Sequence, residues 1–375
     1  MNSETPIYLD YNASTPIYPE VADVMRPLLE TGYGNPSSPH FAAEAARAAI
    51  DAARHQLADL LGAAPDEVVF TSGGSEANNF ALKGAFHAQR DRGNHIITSQ
   101  VEHPAILEPC RYLETQGAEV TYIPVDGTGR VDPDDVRKAI TARTTLISIM
   151  HSNNEVGTLQ PVEDIALIAN DHGLLMHTDA AQSTGKVALN ADDLGVSLLS
   201  LAGHKFGAPK GIGALYIRRG VALERLIHGA GHEGGRRAGT ESALLMAGLG
   251  KAAAIAAPLS SVKSMLGLRE LFWSGLQAIF EDGVMLNGHP SARLPNTLNV
   301  SFVGHQGADV LQQLDGVGAS TGSACHSRQV EPSPVLTAMG IEGDRALGAV
   351  RFSLGRFTTE EEINAVLQWL KRLHF

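Results

Sequence analysis

Lys205 stands in the segment Gly203-His204-Lys205-Phe206, after the apolar run 196–201. Lysines seldom retreat from solvent. Desolvation lowers a lysine pKa and makes its amine available for attack on a carbonyl; an exposed loop lysine is the alternative. Asp179, in His177-Thr178-Asp179-Ala180-Ala181-Gln182, closes another apolar run. In open α/β sheets that strand end is where ligands bind, and a carboxylate there can hold a proton on a heteroaromatic nitrogen, or simply cap a helix. Thr71-Ser72-Gly73-Gly74-Ser75-Glu76 joins a strand to a helix. Its glycines and the helix N-terminus suit a phosphate, although Ser75 as a plain N-cap fits too. The required Lys and glycine spacings of a mononucleotide or dinucleotide loop are missing.

Three more segments complete the set. Cys325 lies among small residues in Thr321-Gly322-Ser323-Ala324-Cys325-His326. A thiolate nucleophile needs such access and a neighbouring base or positive charge; an inert buried cysteine is the other reading. Cys110 fits that second reading better. Arg351, flanked by apolar residues on an expected strand, needs an anionic partner, either a substrate carboxylate or a structural acid. His103, between Glu102 and Pro104, could stack on an aromatic ligand, shuttle a proton or anchor a loop. The 15 histidines show no ligand spacing combined with an acid, so no metal site is expected.

These segments need a scaffold, and the sequence patterning supplies one. Short β-branched runs at 68–71, 95–98, 120–124, 145–150, 174–178, 196–201 and 213–217 alternate with helical stretches at 41–61, 75–90 and 162–172, the last closed by Gly173. Such alternation predicts an α/β fold with a mostly parallel sheet covered on both faces. Residues 251–280 read as one long helix linking two lobes. Beyond them come strands at 297–302 and 350–354, helices at 308–314 and 334–340, and a terminal helix opened by Thr358 or Thr359, each with Glu three residues on. The chain has 375 residues, 39 glycines, two cysteines and a formal net charge of -12. That charge argues against general nucleic-acid binding and a polybasic membrane anchor. Two cysteines make no disulfide framework, which suits a reducing cytoplasm, and neither a signal peptide nor a transmembrane stretch is expected.

Taken in order, the segments resemble the class V aminotransferase-like enzymes that use pyridoxal 5'-phosphate (PLP), and among them the NifS-like cysteine desulfurases. The match also covers Tyr8-Leu9-Asp10-Tyr11-Asn12-Ala13-Ser14-Thr15-Pro16, Gly34-Asn35-Pro36-Ser37-Ser38, His151-Ser152-Asn153-Asn154-Glu155-Val156-Gly157 and residues 236–241. The resemblance implies the PLP-dependent transferase fold of type I. A large domain would span 16–258, and a small α+β domain 1–15 plus 259–375, carrying the cysteine loop. It implies that Lys205 holds the cofactor and moves the substrate Cα proton, that Asp179 pairs with the ring nitrogen and that Gln182 pairs with the ring oxygen. His103 would stack on the ring. Gly74, Ser75 and His204 would serve the phosphate, with Thr240 of a second subunit completing that site in a homodimer. Asn154 and Arg351 would grip the substrate carboxylate. Cys325 would take sulfur from L-cysteine as a persulfide and pass it to an acceptor protein for iron–sulfur assembly, tRNA thiolation or DNA phosphorothioation.

Two positions depart from the family pattern. Ala202 replaces a hydroxyl residue at the phosphate, a loss of about 1–3 kcal/mol for a charge-assisted bond, and Ser75 replaces the commoner Thr. The run Cys325-His326-Ser327 with Pro332-Ser333-Pro334-Val335-Leu336 is also similar to selenocysteine lyases, which makes selenocysteine the alternative substrate. A transaminase needs no such thiol, and an inert binding module would not need Lys205, Asp179, His103, Cys325 and Arg351 together.

Overall fold

The computed structural model describes residues 6–321 and 332–372. In chain order the strands are β1 (Ile7–Tyr8), β2 (Val68–Thr71), β3 (His95–Ser99), β4 (Glu119–Ile123), β5 (Thr144–Ser148), β6 (Leu175–Asp179), β7 (Leu198–Ala202), β8 (Gly213–Ile217), β9 (Val284–Asn287), β10 (Thr297–Phe302), β11 (Val317–Gly318) and β12 (Ala349–Ser353). The helices are α1 (Pro19–Glu30), α2 (Glu44–Leu61), α3 (Gly74–Ala88), α4 (Pro104–Glu114), α5 (Pro133–Ala139), α6 (Val162–Asp171), α7 (Ala243–Ala256), α8 (Val262–Phe280), α9 (Gly307–Gln313), α10 (Pro334–Ala338), α11 (Gly343–Leu347) and α12 (Glu360–Arg372).

The large sheet has seven strands in the order β2-β8-β7-β6-β5-β3-β4. It is parallel from β7 to β4, and β8 runs antiparallel to both of its neighbours. Successive strand side chains point to opposite faces, and both faces are apolar here. Phe70, Ile97, Ile147, Leu199 and Ala214 pack with α2, α6 and α7. Their neighbours Val69, Ile96, Leu146, Leu198 and Leu215 pack with α3 and α4. Burial on both sides is why these strands read as continuous apolar runs. After α6, Gly173 takes the left-handed conformation (φ +63°) and Leu174 N–H bonds back to the Ala169 carbonyl, which stops the helix.

A second, antiparallel sheet orders its strands β12-β10-β9. Leu298, Val300, Val350 and Phe352 pack against Phe272 and Leu276 of α8 and Ile363, Val366 and Leu370 of α12. The N-terminal segment is tied to this region: β1 pairs parallel with β11, and Asp10 bridges to Ser353.

The expected continuous helix over 251–280 is broken. Helix α7 ends at Ala256 and α8 starts at Val262. Pro258 has no N–H to donate and its ring crowds the preceding turn, and the chain reverses at Leu259 with φ +51°. Among the described residues no helix is long and apolar enough to cross a membrane.

Candidate active site

Strand ends and helix starts converge on a cavity of about 390 Å³, a size suited to a small molecule. Strand β7 delivers Lys205 through a single 3-10 turn, Gly203–Lys205. Its Nζ lies inside, donating to the main-chain carbonyls of Asn12 (2.7 Å) and Ala13 (3.0 Å). Burial, then the nearby Arg351 charge, pushes its pKa down to about 8, so a usable fraction is free amine near neutral pH. Hence Lys205 is not the exposed loop lysine of the alternative reading.

Asp179 ends β6 at the same sheet edge. Its Oδ1 accepts from Ala181 N–H (2.9 Å), a local cap, and Oδ2 accepts from Asn78 Nδ2 (2.7 Å). Asn78 carries no role in the sequence reading. Its signal was a polar residue on the buried face of α3, beside Ala77, Ala81 and Leu82. Its Oδ1 is buried without a partner among the described residues.

Helix α3 starts at Gly74, with Gly73 (φ +153°) as N-cap, so Ser75 sits inside the first turn rather than capping it. Gly74 and Ser75 line the cavity, in the first turn of the helix, whose N–H groups have no partner within the helix. The backbone there runs close to its neighbours: a Cβ on Gly74 would meet Ala202 Cβ at 3.1 Å, and one on Gly213 would lie 2.7 Å from Gly73 backbone. His204 lines the same region, its Nδ1 3.4 Å from Ser14 Oγ. Burial, followed by the Lys205 charge, pushes it down to about 4, leaving a neutral imidazole.

His103 caps α4 with Nδ1 accepting from Ala105 N–H (3.1 Å). Its ring opens to the cavity. Desolvation lowers its pKa against the opposing pull of Asp179, with Lys205 adding to the lowering. The anchoring and cavity-facing readings therefore coexist. Gln182 also lines the cavity, with Nε2 donating to the Asn12 carbonyl (2.9 Å).

Arg351 comes from β12, 6 % exposed. It donates through Nη2 to Asp10 Oδ1 (2.7 Å) and through Nη1 to the Asn154 carbonyl (3.0 Å). Its Nε is buried with no partner among the described residues. The structural partner is thus Asp10, while the guanidinium still borders the cavity beside Asn154.

Thr240 is exposed and does not line this cavity. It borders a separate cleft of about 90 Å³ with Ser72 and Arg237. Cys325, with His326 and its loop, lies outside the described residues. Cys110 is fully buried, and burial pushes its thiol up to about 12.

With an amine, a carboxylate, a neutral imidazole, an open helix N-terminus and a guanidinium facing one cavity, the site can take an aromatic phosphate together with an amino acid. Comparison with known proteins agrees. The aminotransferase class-V family matches residues 7–366. The cysteine desulfurase IscS of Dictyoglomus turgidum is 48 % identical over 371 residues, covering 98 % of this chain and 94 % of the relative. A solved NifS-like protein superposes with a TM-score of 0.92 at 37 % identity, covering 98 % of each chain. SspA, solved in complex with cysteine, superposes with a TM-score of 0.83 at 38 % identity, covering 94 % of this chain and all of that one. The chain belongs to the class-V aminotransferase family and, within it, to the NifS-like cysteine desulfurases.

Proposed function

We propose that the chain uses pyridoxal phosphate to remove sulfur from L-cysteine, giving L-alanine and a persulfide on Cys325. The observation that carries this reading is the amine of Lys205, held by two main-chain carbonyls in a cavity shared with Asp179 and Arg351. The donor set fits the cofactor. Lys205 would hold it, Asp179 would keep its ring nitrogen protonated and Gln182 would meet its ring oxygen. His103 would stack on the ring, and Ser75, His204 and the N-terminus of α3 would take the phosphate at a backbone cradle that a Cβ on Gly74 would narrow. When bound, pyridoxal phosphate supplies a ring that draws electrons from the Cα of an amino acid.

The chain's own residues do the rest. Arg351 and Asn154, which border the cavity side by side, hold the substrate carboxylate. Lys205, released as a free amine near neutral pH, moves the proton at Cα. Cys325, as thiolate, takes the sulfur: an S–S bond forms, the Cβ–S bond breaks, and its electron pair stays on Cβ, which gains a proton. L-cysteine plus thiol becomes L-alanine plus persulfide, with no outside oxidant or reductant. An acceptor protein then receives the sulfur, in a cytoplasm reducing enough to keep the thiol available. Thr240 serves the phosphate of a second copy in a homodimer.

The test is sulfide and alanine release from L-cysteine in dithiothreitol, for wild type and Cys325→Ala, with the visible band of bound cofactor followed in both. Wild type is expected to make both products, and the variant to keep the band and lose turnover. Undiminished turnover in Cys325→Ala would show that this thiol is not the sulfur carrier.

A further inference from the structure

Beneath the cavity lies Lys186, 5 % exposed, in the turns that follow β6. Its Nζ donates to Gln182 Oε1 at 3.1 Å and to Asn12 Oδ1 at 3.5 Å. No carboxylate forms an ion pair with it among the described residues; the charged groups that act on it are Lys205 and Arg351, both repulsive. A buried ammonium without a counter-ion is costly, and its burial, with those two charges, pushes it down to about 7. No role in the mechanism above accounts for it.

Both acceptors belong to the site. The Asn12 carbonyl receives Lys205 Nζ and Gln182 Nε2. The Asn12 side chain is held at three further points, by Asn296 Nδ2 at its Oδ1 and by Thr297 Oγ1 and the Asn154 carbonyl at its Nδ2. A primary amide offers an acceptor at one end and donors at the other. A donor fixed on Gln182 Oε1 leaves the N–H end as the one turned to Asn12 and the cavity.

We propose that Lys186 is a positioning residue: it clamps the amides of Gln182 and Asn12 so that Gln182 presents N–H to the cavity and Asn12 keeps its carbonyl on Lys205. The proposal rests on the pyridoxal-phosphate reading and has a consequence that does not need the cofactor. Pyridoxal phosphate dissociation constants would be measured for wild type, Lys186→Met, Gln182→Ala and the double variant. In parallel, cofactor-free protein would be labelled at lysine with formaldehyde and cyanoborohydride, the exposed Lys210 serving as internal reference.

Lys186→Met is expected to weaken binding about tenfold, the scale of one lost hydrogen bond. In the Gln182→Ala background it should add less than about twofold, because the two act as one unit. Lys205 should label faster, relative to Lys210, once Asn12 is loosened. Equal losses in both backgrounds, or no loss, overturn the proposal. Lys186→Gln keeps an N–H donor and is expected to bind within about threefold of wild type; a loss as large as that of Lys186→Met overturns the clamp. Should Lys186→Met fail to fold, Lys186→Gln decides alone by the same criterion. If wild-type protein takes up no pyridoxal phosphate, the proposed function falls, and Lys205 labelling then decides on Lys186: unchanged labelling overturns its role.

Discussion

The carboxyl group of Glu102, next to His103 in the chain, is 3 % exposed. Its Oε1 accepts from Ser99 Oγ (2.7 Å) and Met150 N–H (2.8 Å), while Oε2 has no partner among the described residues. Burial, against the two hydrogen bonds and with a small push from Asp179, raises its pKa to about 8 from an ordinary 4.5. The folded protein therefore keeps a proton that the unfolded chain has released. This contribution to stability is complete below about pH 4.5 and fades as pH rises towards about 8. Glu102→Gln preserves the acceptor and removes the titration. Melting temperatures taken from about pH 5 to about pH 8 should fall less steeply for the variant than for wild type. An unchanged slope would mean that Glu102 is ionised when folded.

Helix α12 shows how a local signal can be right and still leave a choice. Both Thr358 and Thr359 precede a Glu by three residues. The reciprocal pair forms at Thr359, whose Oγ1 accepts from Glu362 N–H (3.2 Å) while its own N–H donates to Glu362 Oε2 (2.9 Å). Thr358 instead takes Gly355 N–H (3.0 Å). Thr359→Ala should cost about 1 kcal/mol of stability, read as a lower urea midpoint at unchanged slope; no change would mean that the cap is idle. Between α7 and α8 the helical pattern ran on through Pro258, and backbone chemistry overruled it. Where Ser75 could have been the cap of α3, the cap is Gly73 and the helix starts at Gly74, two residues earlier than a Ser75 cap would give.

Across the whole molecule, the site depends on segments far apart in sequence. The N-terminal residues are held by their own pairing with β11 and by the bridge from Asp10 to Ser353 of the second sheet, then pass into the cavity, where Asn12 and Ala13 receive Lys205. Arg351 reaches the same cavity from β12. Thr240 points to a further level, since it is exposed and outside its own chain's cavity. If it serves a second copy, dimers mixed from Lys205→Ala and Thr240→Ala chains each contain one intact site. Activity should then return on mixing after subunit exchange, although Lys205→Ala alone is inactive. Mixtures no more active than the sum of the separate variants would place Thr240 outside the site.

Much of the fold was legible because its signals are local. Strands buried on both faces announce themselves as apolar runs, and Gly173 marks a helix end by the conformation it tolerates. Lys205 and Asp179 stood out for a related reason, as polar residues at the ends of apolar strands, but by themselves a loop lysine and a helix cap fitted as well, and their roles came from the resemblance. Their partners did not stand out. Asn12, Asn78 and Lys186 look ordinary in the sequence, and they become parts of the site only when strands and helices separated by a hundred residues or more are brought together. Likewise the sequence asked that Arg351 find an anion, and the tertiary structure decided that the anion is Asp10, 341 residues away. Local propensity sets which elements form, because it acts through neighbours in the chain. Which polar groups satisfy one another is decided by desolvation in the packed interior, and that depends on the whole arrangement.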